Sequence, residues 1–252
     1  MELFLKNLHY GTDEISNYFS ENRISWDQFY PSERKLFETI ELSSKDAILD
    51  IGCGCGGLGL ALNEKFGIFS YTGIDINSSA IEAGRQLSSS STLICGDILD
   101  VTDSSLRDQS FDLVCSLSCI DWNVQFAEML AVSWGHVKPG GKFVATFRLC
   151  LGKGCSELKD SYQYINYEGK KEGEIAAYVV LNFKKLMAEL EEFNPSEIKG
   201  TGYWGMPSST AVTPYDSLCF AAFSITKRVD TDLGEVYIDL DLPEELIAVL
   251  KE

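Results

Sequence analysis

The amino-acid sequence predicts an α/β fold, in which a mixed seven-stranded sheet, mostly parallel and with its last strand antiparallel, is flanked by helices. Short apolar, strand-like runs alternate with helix-like segments over residues 46–149, which implies right-handed crossovers and parallel strands. The first strand-like run leads into a turn in which five of the eight residues from Gly52 to Gly59 are glycine. Two late strand-like runs within residues 195–227 favour a mixed end to the sheet.

Local signals place the elements in order. The predicted strands are Ala47–Ile51, Ser70–Ile76, Thr92–Cys95, Ser110–Ser116, Lys142–Leu149, Leu218–Lys227 and, in the tail, Glu235–Leu240. These runs are apolar or rich in β-branched residues and are bounded by polar or glycine-rich segments. The predicted helices are Asp13–Phe19, Ser32–Ile40, Leu58–Phe66, Ser78–Leu87, Val124–Trp134, Ala176–Leu190 and Pro243–Leu250. Asn77 or Ser78 is the expected N-cap of the fourth helix, and Val137–Gly141 is expected to be a turn.

Shifts in composition along the chain suggest how one domain of residues 1–252 is organised. The expected parts are an N-terminal helical cap (1–45), a cofactor-binding half (46–149), an insertion (150–175), a substrate-side half (176–228) and an acidic tail (229–252). The cap and the insertion stand where they could cover a ligand.

The charge balance limits the partners that the chain can have. The formal net charge is −17, with 45% hydrophobic and 23% charged residues. Binding to phosphate backbones requires clustered Lys and Arg, so we expect neither a nucleic-acid substrate nor an anionic membrane surface. The oligomeric state is open.

Cysteine use and the chain start point to a reducing compartment. The eight cysteines include no Cys-x-x-Cys pair, and only two histidines are present, so we expect no metal site and no disulfide framework. Met1–Lys6 is too short and too acidic for a signal peptide, and no apolar run approaches the roughly 20 residues that cross a bilayer. The sequence therefore predicts a cytoplasmic protein.

The glycine turn matches the pattern Gly-x-Gly-x-x-Gly twice, starting at Gly52 and at Gly54. Glycine lets a ligand lie against bare backbone, and a turn that opens a helix offers free N–H donors. Asp75 ends the second strand, 75 − 52 = 23 residues after the first glycine, where its carboxylate can accept hydrogen bonds from a ribose diol. Dinucleotide-binding folds share both features, so they do not decide between cofactors.

Two further motifs favour one cofactor. Asp97 follows the third strand, where an acid can accept a hydrogen bond from an adenine amine, and Pro139-Gly140-Gly141 precedes the fifth strand. The ordered set Ile48–Gly59, Gly73–Ile76, Gly96-Asp97, Ser110–Ser116 and Pro139–Gly141 resembles the motifs of class I S-adenosylmethionine-dependent methyltransferases. The resemblance covers residues 46–149 by motif and 176–227 by architecture, and it implies a Rossmann-like fold.

The resemblance implies a set of cofactor-binding residues. Asp50 and the turn would line the methionine part, Asp75 the ribose, and Asp97 the adenine edge. The full implied set is Asp50, Gly52, Cys53, Gly54, Asp75, Ile76, Asp97, Ile98, Cys115, Ser116, Leu117 and Trp122. The cofactor would be S-adenosyl-L-methionine, with S-adenosyl-L-homocysteine as product.

The expected reaction is methyl transfer to an O or N atom of a small molecule or glycan. Positioning for in-line attack supplies much of the rate, and Asp121 is the candidate general base. The candidate acceptor residues are Trp26, Tyr30, Arg34, Arg148, Tyr203 and Trp204. The double glycine pattern and Asp75 leave a NAD(P)-dependent oxidoreductase as an alternative. The acidic tail and the absence of an obvious base leave a cofactor-binding partner without turnover as another.

Overall fold

A computed structural model describes residues 14–100, 106, 108–166, 168–229 and 234–250 of the chain. Its strands are β1 Ala47–Ile51, β2 Ser70–Asp75, β3 Thr92–Cys95, β4 Phe111–Ser116, β5 Val137–Cys150, β6 Tyr162–Tyr164, β7 Ile175–Ala177, β8 Leu181–Asn182, β9 Glu197–Gly205, β10 Ala211–Val212, β11 Leu218–Thr226 and β12 Tyr237–Asp241. Its helices are α1 Glu14–Glu21, α2 Pro31–Thr39, α3 Gly57–Phe66, α4 Ser78–Leu87, α5 Phe126–Gly135, α6 Phe183–Glu192 and α7 Glu244–Ala248.

The main sheet has the order β12-β9-β11-β5-β4-β1-β2-β3, and β8 also pairs with β5. Strand β11 is antiparallel to both of its neighbours, whereas the other pairings in this sheet are parallel. This confirms the α/β, Rossmann-like, mostly parallel fold. The expected number of seven strands is wrong, because this sheet has nine strands.

Two apolar layers enclose the main sheet. On one face α5, α6 and α7 pack through Phe126, Leu186 and Leu246. On the other face the N-terminal segment and α3 pack through Phe37 and Leu62 among others. Burying both faces suits a sheet of mostly parallel strands. No helix in the described part of the chain is long and apolar enough to cross a bilayer.

The helix predicted at Ala176–Leu190 is wrong over its first half. Ile175–Ala177 forms β7, Leu181–Asn182 forms β8, and α6 begins only at Phe183. The stretch before α6 is rich in β-branched and aromatic residues, which favour a strand. The Asn182 side chain accepts a hydrogen bond from the Lys185 backbone N–H at 2.9 Å and caps the helix.

The expected turn at Val137–Gly141 is part of strand β5 in the structure. The Gly140 N–H donates to the Lys227 carbonyl and the Lys227 N–H donates to the Gly141 carbonyl, each at 2.9 Å. Pairing with the end of β11 thus extends the strand backwards through the turn-like sequence.

A small second sheet, β10-β6-β7, combines β6, from the predicted insertion, with β7, which begins at the last residue of that region, and with β10, from the loop before β11. Residues 163–166 and 208–210 of this sheet and its loops lie beside the carboxyl end of β5 and border the cavity described below. Part of the region predicted as an insertion therefore borders this cavity.

Candidate active site

A cavity of about 750 Å³ opens where β1, β2, β4 and β5 end. The strand order reverses between β1 and β4, and open α/β sheets bind ligands at the carboxyl ends of the strands at such a point. The walls include the glycine turn after β1, the end of β2 and the segment after β4. The C-terminal half of α1 and the small sheet complete them.

The glycine turn is held tightly to its surroundings. Gly52 and Gly54 have φ values of +76° and +54°, a region that L side chains rarely adopt. The N–H groups of Gly52 and Cys53 both donate to the Ile74 carbonyl, at 2.8 and 3.1 Å. A Cβ on Gly52 would lie 2.3 Å from the Cys119 sulfur. Only glycine fits at position 52.

Asp75 connects the glycine turn to the end of β2 through hydrogen bonds. Its Oδ2 accepts a hydrogen bond from the Gly54 N–H and its Oδ1 from the Asn77 N–H, both at 2.8 Å. Burial raises the pKa of Asp75, and the two backbone hydrogen bonds oppose that shift. The next residue, Ile76, leaves 39% of its surface exposed beside the cavity, which offers an apolar face to a flat ligand.

Asp50 is a carboxyl group buried at the end of β1. The Tyr71 hydroxyl donates to Asp50 Oδ2 at 2.5 Å. Burial raises the pKa of Asp50 to about 7, while the Tyr71 hydrogen bond and the charge of Arg23 act to lower it. This carboxyl group therefore titrates near neutral pH.

Arg23 brings a positive charge from the N-terminal segment to the cavity wall. It pairs with Glu33 at 3.0 Å, and its guanidinium carbon lies 4.5 Å from the Phe29 ring centre and 5.2 Å from that of Tyr30. Glu33 is fully buried and also accepts a hydrogen bond from the Tyr30 N–H at 2.8 Å. These contacts fix Arg23 close to the glycine turn.

A buried ion pair lies on the opposite wall. Arg148 Nη1 is 3.3 Å from Asp121 Oδ2 and donates to the Asp121 carbonyl at 2.7 Å. The guanidinium carbon is 4.5 Å from the Trp122 ring centre and 3.8 Å from that of Tyr178. Burial raises the pKa of Asp121 to about 6, and the charge of Arg148 opposes the shift.

Most predicted site residues come together on this cavity. Those that line it are Asp50, Gly52, Cys53, Gly54, Asp75, Ile76, Asp97, Ile98, Leu117, Asp121, Trp122, Tyr30, Arg148 and Tyr203. Five others lie outside its walls, namely Cys115, Ser116, Trp26, Arg34 and Trp204. The burial and contacts of each of the five explain its position.

Three of the five are part of the core. Cys115 and Ser116 are fully buried within β4, beneath the segment that reaches the cavity. The Trp26 ring packs edge-on against Phe37 and Phe66 and is 6% exposed. Their side chains stabilise the elements around the cavity.

The other two face outward. Arg34 Nη1 is 3.4 Å from the exposed carboxylate of Asp27. The Trp204 indole N–H donates to Glu245 at 3.3 Å. Trp204 follows Tyr203 on β9, and because side chains alternate along a strand, only one of two neighbours can face the cavity.

Sequence reasoning missed Arg23, Tyr178 and Thr146, which also line the cavity. The Thr146 hydroxyl accepts a hydrogen bond from the Ser118 N–H at 2.6 Å and so fixes the segment after β4. The aromatic cluster Trp26–Tyr30 was a signal that could have drawn attention to Arg23. No sequence pattern indicated a role for Tyr178, because it lies in the segment that was incorrectly predicted to be helical.

Comparison with known proteins agrees with this geometry. Residues 48–141 match the sequence model of a family described as "Methyltransferase domain". The phosphoethanolamine N-methyltransferase of Plasmodium falciparum is 32% identical over 120 residues, which cover 46% of this chain and 44% of that protein. The 18S rRNA (guanine(1575)-N(7))-methyltransferase of Saccharomyces cerevisiae is 29% identical over 157 residues, 58% of this chain and 56% of that protein. The aligned parts span about half the length of these curated relatives.

Solved structures share the fold. A SAM-dependent methyltransferase of Methanosarcina mazei superposes with a TM-score of 0.57 at 18% identity, over 80% of this chain and 99% of that one. Haemonchus contortus phosphoethanolamine N-methyltransferase 2, in complex with S-adenosyl-L-methionine, gives 0.59 at 15% identity, over 87% of this chain and 58% of that one. Residues 48–141 thus match a methyltransferase domain, and the chain shares the fold of S-adenosylmethionine-dependent methyltransferases.

Proposed function

We propose that the protein transfers a methyl group from S-adenosylmethionine to an O or N atom of a small molecule. The observation that carries the proposal is one cavity that is lined both by the glycine turn, Asp50, Asp75 and Asp97 and by Arg148, Tyr178 and Tyr203. The first set supplies the groups expected for the cofactor, and the second set remains for an acceptor.

The residues present fit the cofactor. The turn brings the bare backbone of Gly52 and Gly54 to the cavity wall, where a ligand can lie against it. Asp50 and Arg23 offer a negative and a positive charge, which match the ammonium and carboxylate of an amino acid. Asp75 and Asp97 supply acceptors suited to a ribose diol and an adenine amine, and Ile76 an apolar surface for the ring.

When bound, the cofactor supplies an activated sulfonium methyl group, so the chain's own residues have to orient the acceptor and exclude water. Trp122 and Tyr178 line the acceptor side of the cavity, and Tyr178 is 2% exposed. Asp121 is the predicted base, yet its Oδ2 faces Arg148 and its Oδ1 is sealed from solvent. The geometry favours a role in positioning Arg148.

Cavity size and charge favour a small acceptor. A volume of about 750 Å³ lies within the usual range for small-molecule sites of roughly 300–1,000 Å³. The net charge of −17 disfavours an RNA, which is what one curated relative acts on by its name, whereas other relatives act on phosphoethanolamine. A glycan acceptor remains a second candidate, because the tyrosines on this wall suit sugar hydroxyls.

Calorimetric titration with S-adenosylmethionine, S-adenosylhomocysteine and NAD tests the cofactor. We expect the first two to bind and NAD not to bind. Asp75→Ala should weaken the binding of S-adenosylmethionine at least tenfold, whereas Asp216→Ala, at an exposed position that does not line the cavity, should not. Binding of NAD alone would refute the proposal.

A panel of small amines, alcohols, acids and oligosaccharides, read out by release of S-adenosylhomocysteine, tests turnover. Product with a small molecule supports the proposal, and product only with oligosaccharides favours the glycan alternative. Tight cofactor binding with no product across the panel would favour a partner protein without turnover.

A further inference from the structure

We propose that the acceptor carries an anionic oxygen group, a carboxylate or a phosphate, and that Arg148 binds this group in the cavity. The inference rests on the proposed function, because it assigns the acceptor side of the same site. It begins with the way in which Arg148 is held.

Arg148 is a rigid guanidinium with unused donors. Two rings that meet edge-to-face contact the group, Trp122 at 4.5 Å and Tyr178 at 3.8 Å, and the residue is 5% exposed. Nη1 is engaged by Asp121. Among the described residues, Nε and Nη2 of Arg148 donate to no protein acceptor. Its free edge therefore remains for a ligand in the cavity that Arg148 lines.

Asp121 cannot be the group that a charged acceptor meets. Its Oδ2 faces Arg148, and its Oδ1 is sealed from solvent with no hydrogen-bond partner in the described part of the chain. A ligand ammonium would have to displace the guanidinium to reach this carboxylate. The accessible charge of the pair is the positive one, so the acceptor side selects an anion over a cation.

Neighbouring groups add to this preference. Tyr30 lies on the cavity wall, where partial desolvation raises its pKa and the charges of Arg23 and Arg148 oppose that shift. Its hydroxyl is thus a donor under the influence of two guanidinium groups. The planar fork of arginine binds a carboxylate or phosphate through two parallel hydrogen bonds. Contact with the two rings and with Asp121 restrains the fork before the ligand arrives.

Direct binding of fragments tests the inference without turnover. The protein is saturated with S-adenosylhomocysteine and titrated with inorganic phosphate, succinate, ethanolamine and glycerol. We expect phosphate or succinate to bind with a dissociation constant of about 10 mM or tighter, as fragments of a few heavy atoms allow. Phosphate without succinate would assign a phosphate, and the reverse a carboxylate. Saturable binding of neither anion would overturn the inference.

Variants of Arg148 test whether this residue binds the anion. Arg148→Gln should weaken the binding of the anion at least tenfold and leave the affinity for S-adenosylhomocysteine within twofold. The anion affinity of Arg148→Lys should be intermediate. Arg34→Gln, an arginine outside the cavity, is the matched control and should change nothing. Equal anion affinity in Arg148→Gln would refute the assignment.

Asp121→Asn keeps the guanidinium and removes its counter-charge, so it separates the two members of the pair even if Arg148→Gln fails to fold. Anion binding that is unchanged or tighter supports Arg148 as the binding group. Binding of ethanolamine to the parent protein that is lost in Asp121→Asn would contradict the inference. Failure of S-adenosylhomocysteine to bind would instead count against the proposed function.

Discussion

The Tyr71 hydroxyl donates a hydrogen bond of 2.5 Å to Asp50 Oδ2, and both residues are buried. Tyr71 lies at the start of β2 and Asp50 near the end of β1, two parallel neighbours in the sheet. The bond crosses from one strand to the next beneath the glycine turn. It sets the orientation of the carboxyl group and stabilises its charged form.

Tyr71→Phe removes this donor and leaves the rest of the ring in place. We expect a loss of stability of about 1–3 kcal/mol, because a buried carboxylate loses a hydrogen bond. The loss should be larger at pH 8, where Asp50 is ionised, than at pH 5, where it is protonated. Chemical denaturation at both pH values measures the difference, and an equal loss at the two would contradict the role of the bond.

The pKa of Asp50 predicts how cofactor affinity varies with pH. Below about 7 the free protein holds a proton on Asp50, which must leave before the carboxylate can face an ammonium. Affinity for S-adenosylmethionine should therefore fall about fivefold between pH 7 and pH 6 and be nearly flat above pH 8. Titration calorimetry across this range tests it. Asp50→Asn should bind weakly with no such slope, and a slope that persists in the variant would assign it to another group.

Ionisation of Asp50 should favour cofactor binding but lower the stability of the folded protein. Its pKa of about 7 in the folded protein exceeds the ordinary value of 3.8, so the folded state holds more protons between these values. Stability then falls as pH rises through this window and levels off above 7. Asp50→Asn avoids that loss, which corresponds to at most about 4 kcal/mol.

We therefore expect Asp50→Asn to melt at a temperature several degrees higher than the parent at pH 8, at roughly 2–4 °C per kcal/mol for a chain of this size, while cofactor binding is lost. At pH 4 the two proteins should melt at similar temperatures. A lower melting temperature in the variant at pH 8 would show that the burial of Asp50 does not destabilise the fold.

Gly52 and Gly67 form a matched pair for the glycine turn. Both have positive φ, +76° and +69°, so alanine costs about 1–2 kcal/mol of backbone strain at either position. At Gly67 no described atom lies within 4 Å of the new Cβ, whereas at Gly52 it would lie 2.5 Å from Cys119 Cβ. Gly52→Ala should abolish cofactor binding, and Gly67→Ala should only lower stability.

The double variant Gly52→Ala/Cys119→Gly removes the clashing atoms and should regain part of the affinity. Cofactor titration of the two single variants and the double variant measures this. Normal binding by Gly52→Ala would mean that the loop at Cys119 moves aside at little cost.

Local signals in the sequence predicted the part of the site that a few adjacent residues create. The end of β1, the glycine turn and Asp75 were predicted because strand, turn and carboxylate follow one another directly along the chain, and β3 was predicted residue for residue. The contacts of Arg23 depend on where the N-terminal segment docks, and those of Tyr178 on how a second sheet forms. Trp204 and Arg34 are of the same residue types as side chains that line the cavity. They differ in the direction in which the side chain points, which is decided by packing.

The docking of the N-terminal segment against α3 gives the last prediction. A Cβ on Gly57, the first residue of α3, would lie 2.0 Å from the Arg23 carbonyl oxygen, a backbone atom. Gly57→Ala should therefore push the segment that holds Arg23 away from the turn, although alanine itself favours a helix. Faster amide exchange over residues 18–29 and at least tenfold weaker cofactor binding are expected.

Gly135, at the end of α5, is the control, because no described atom lies within 4 Å of a Cβ built there. Gly135→Ala should raise stability by up to about 1 kcal/mol through helix propensity and leave cofactor binding unchanged. The two substitutions are chemically identical and both lie in helices, so a difference in binding isolates the contact with the Arg23 backbone. Unchanged exchange and affinity in Gly57→Ala would show that the segment does not need this close approach to form the cavity wall.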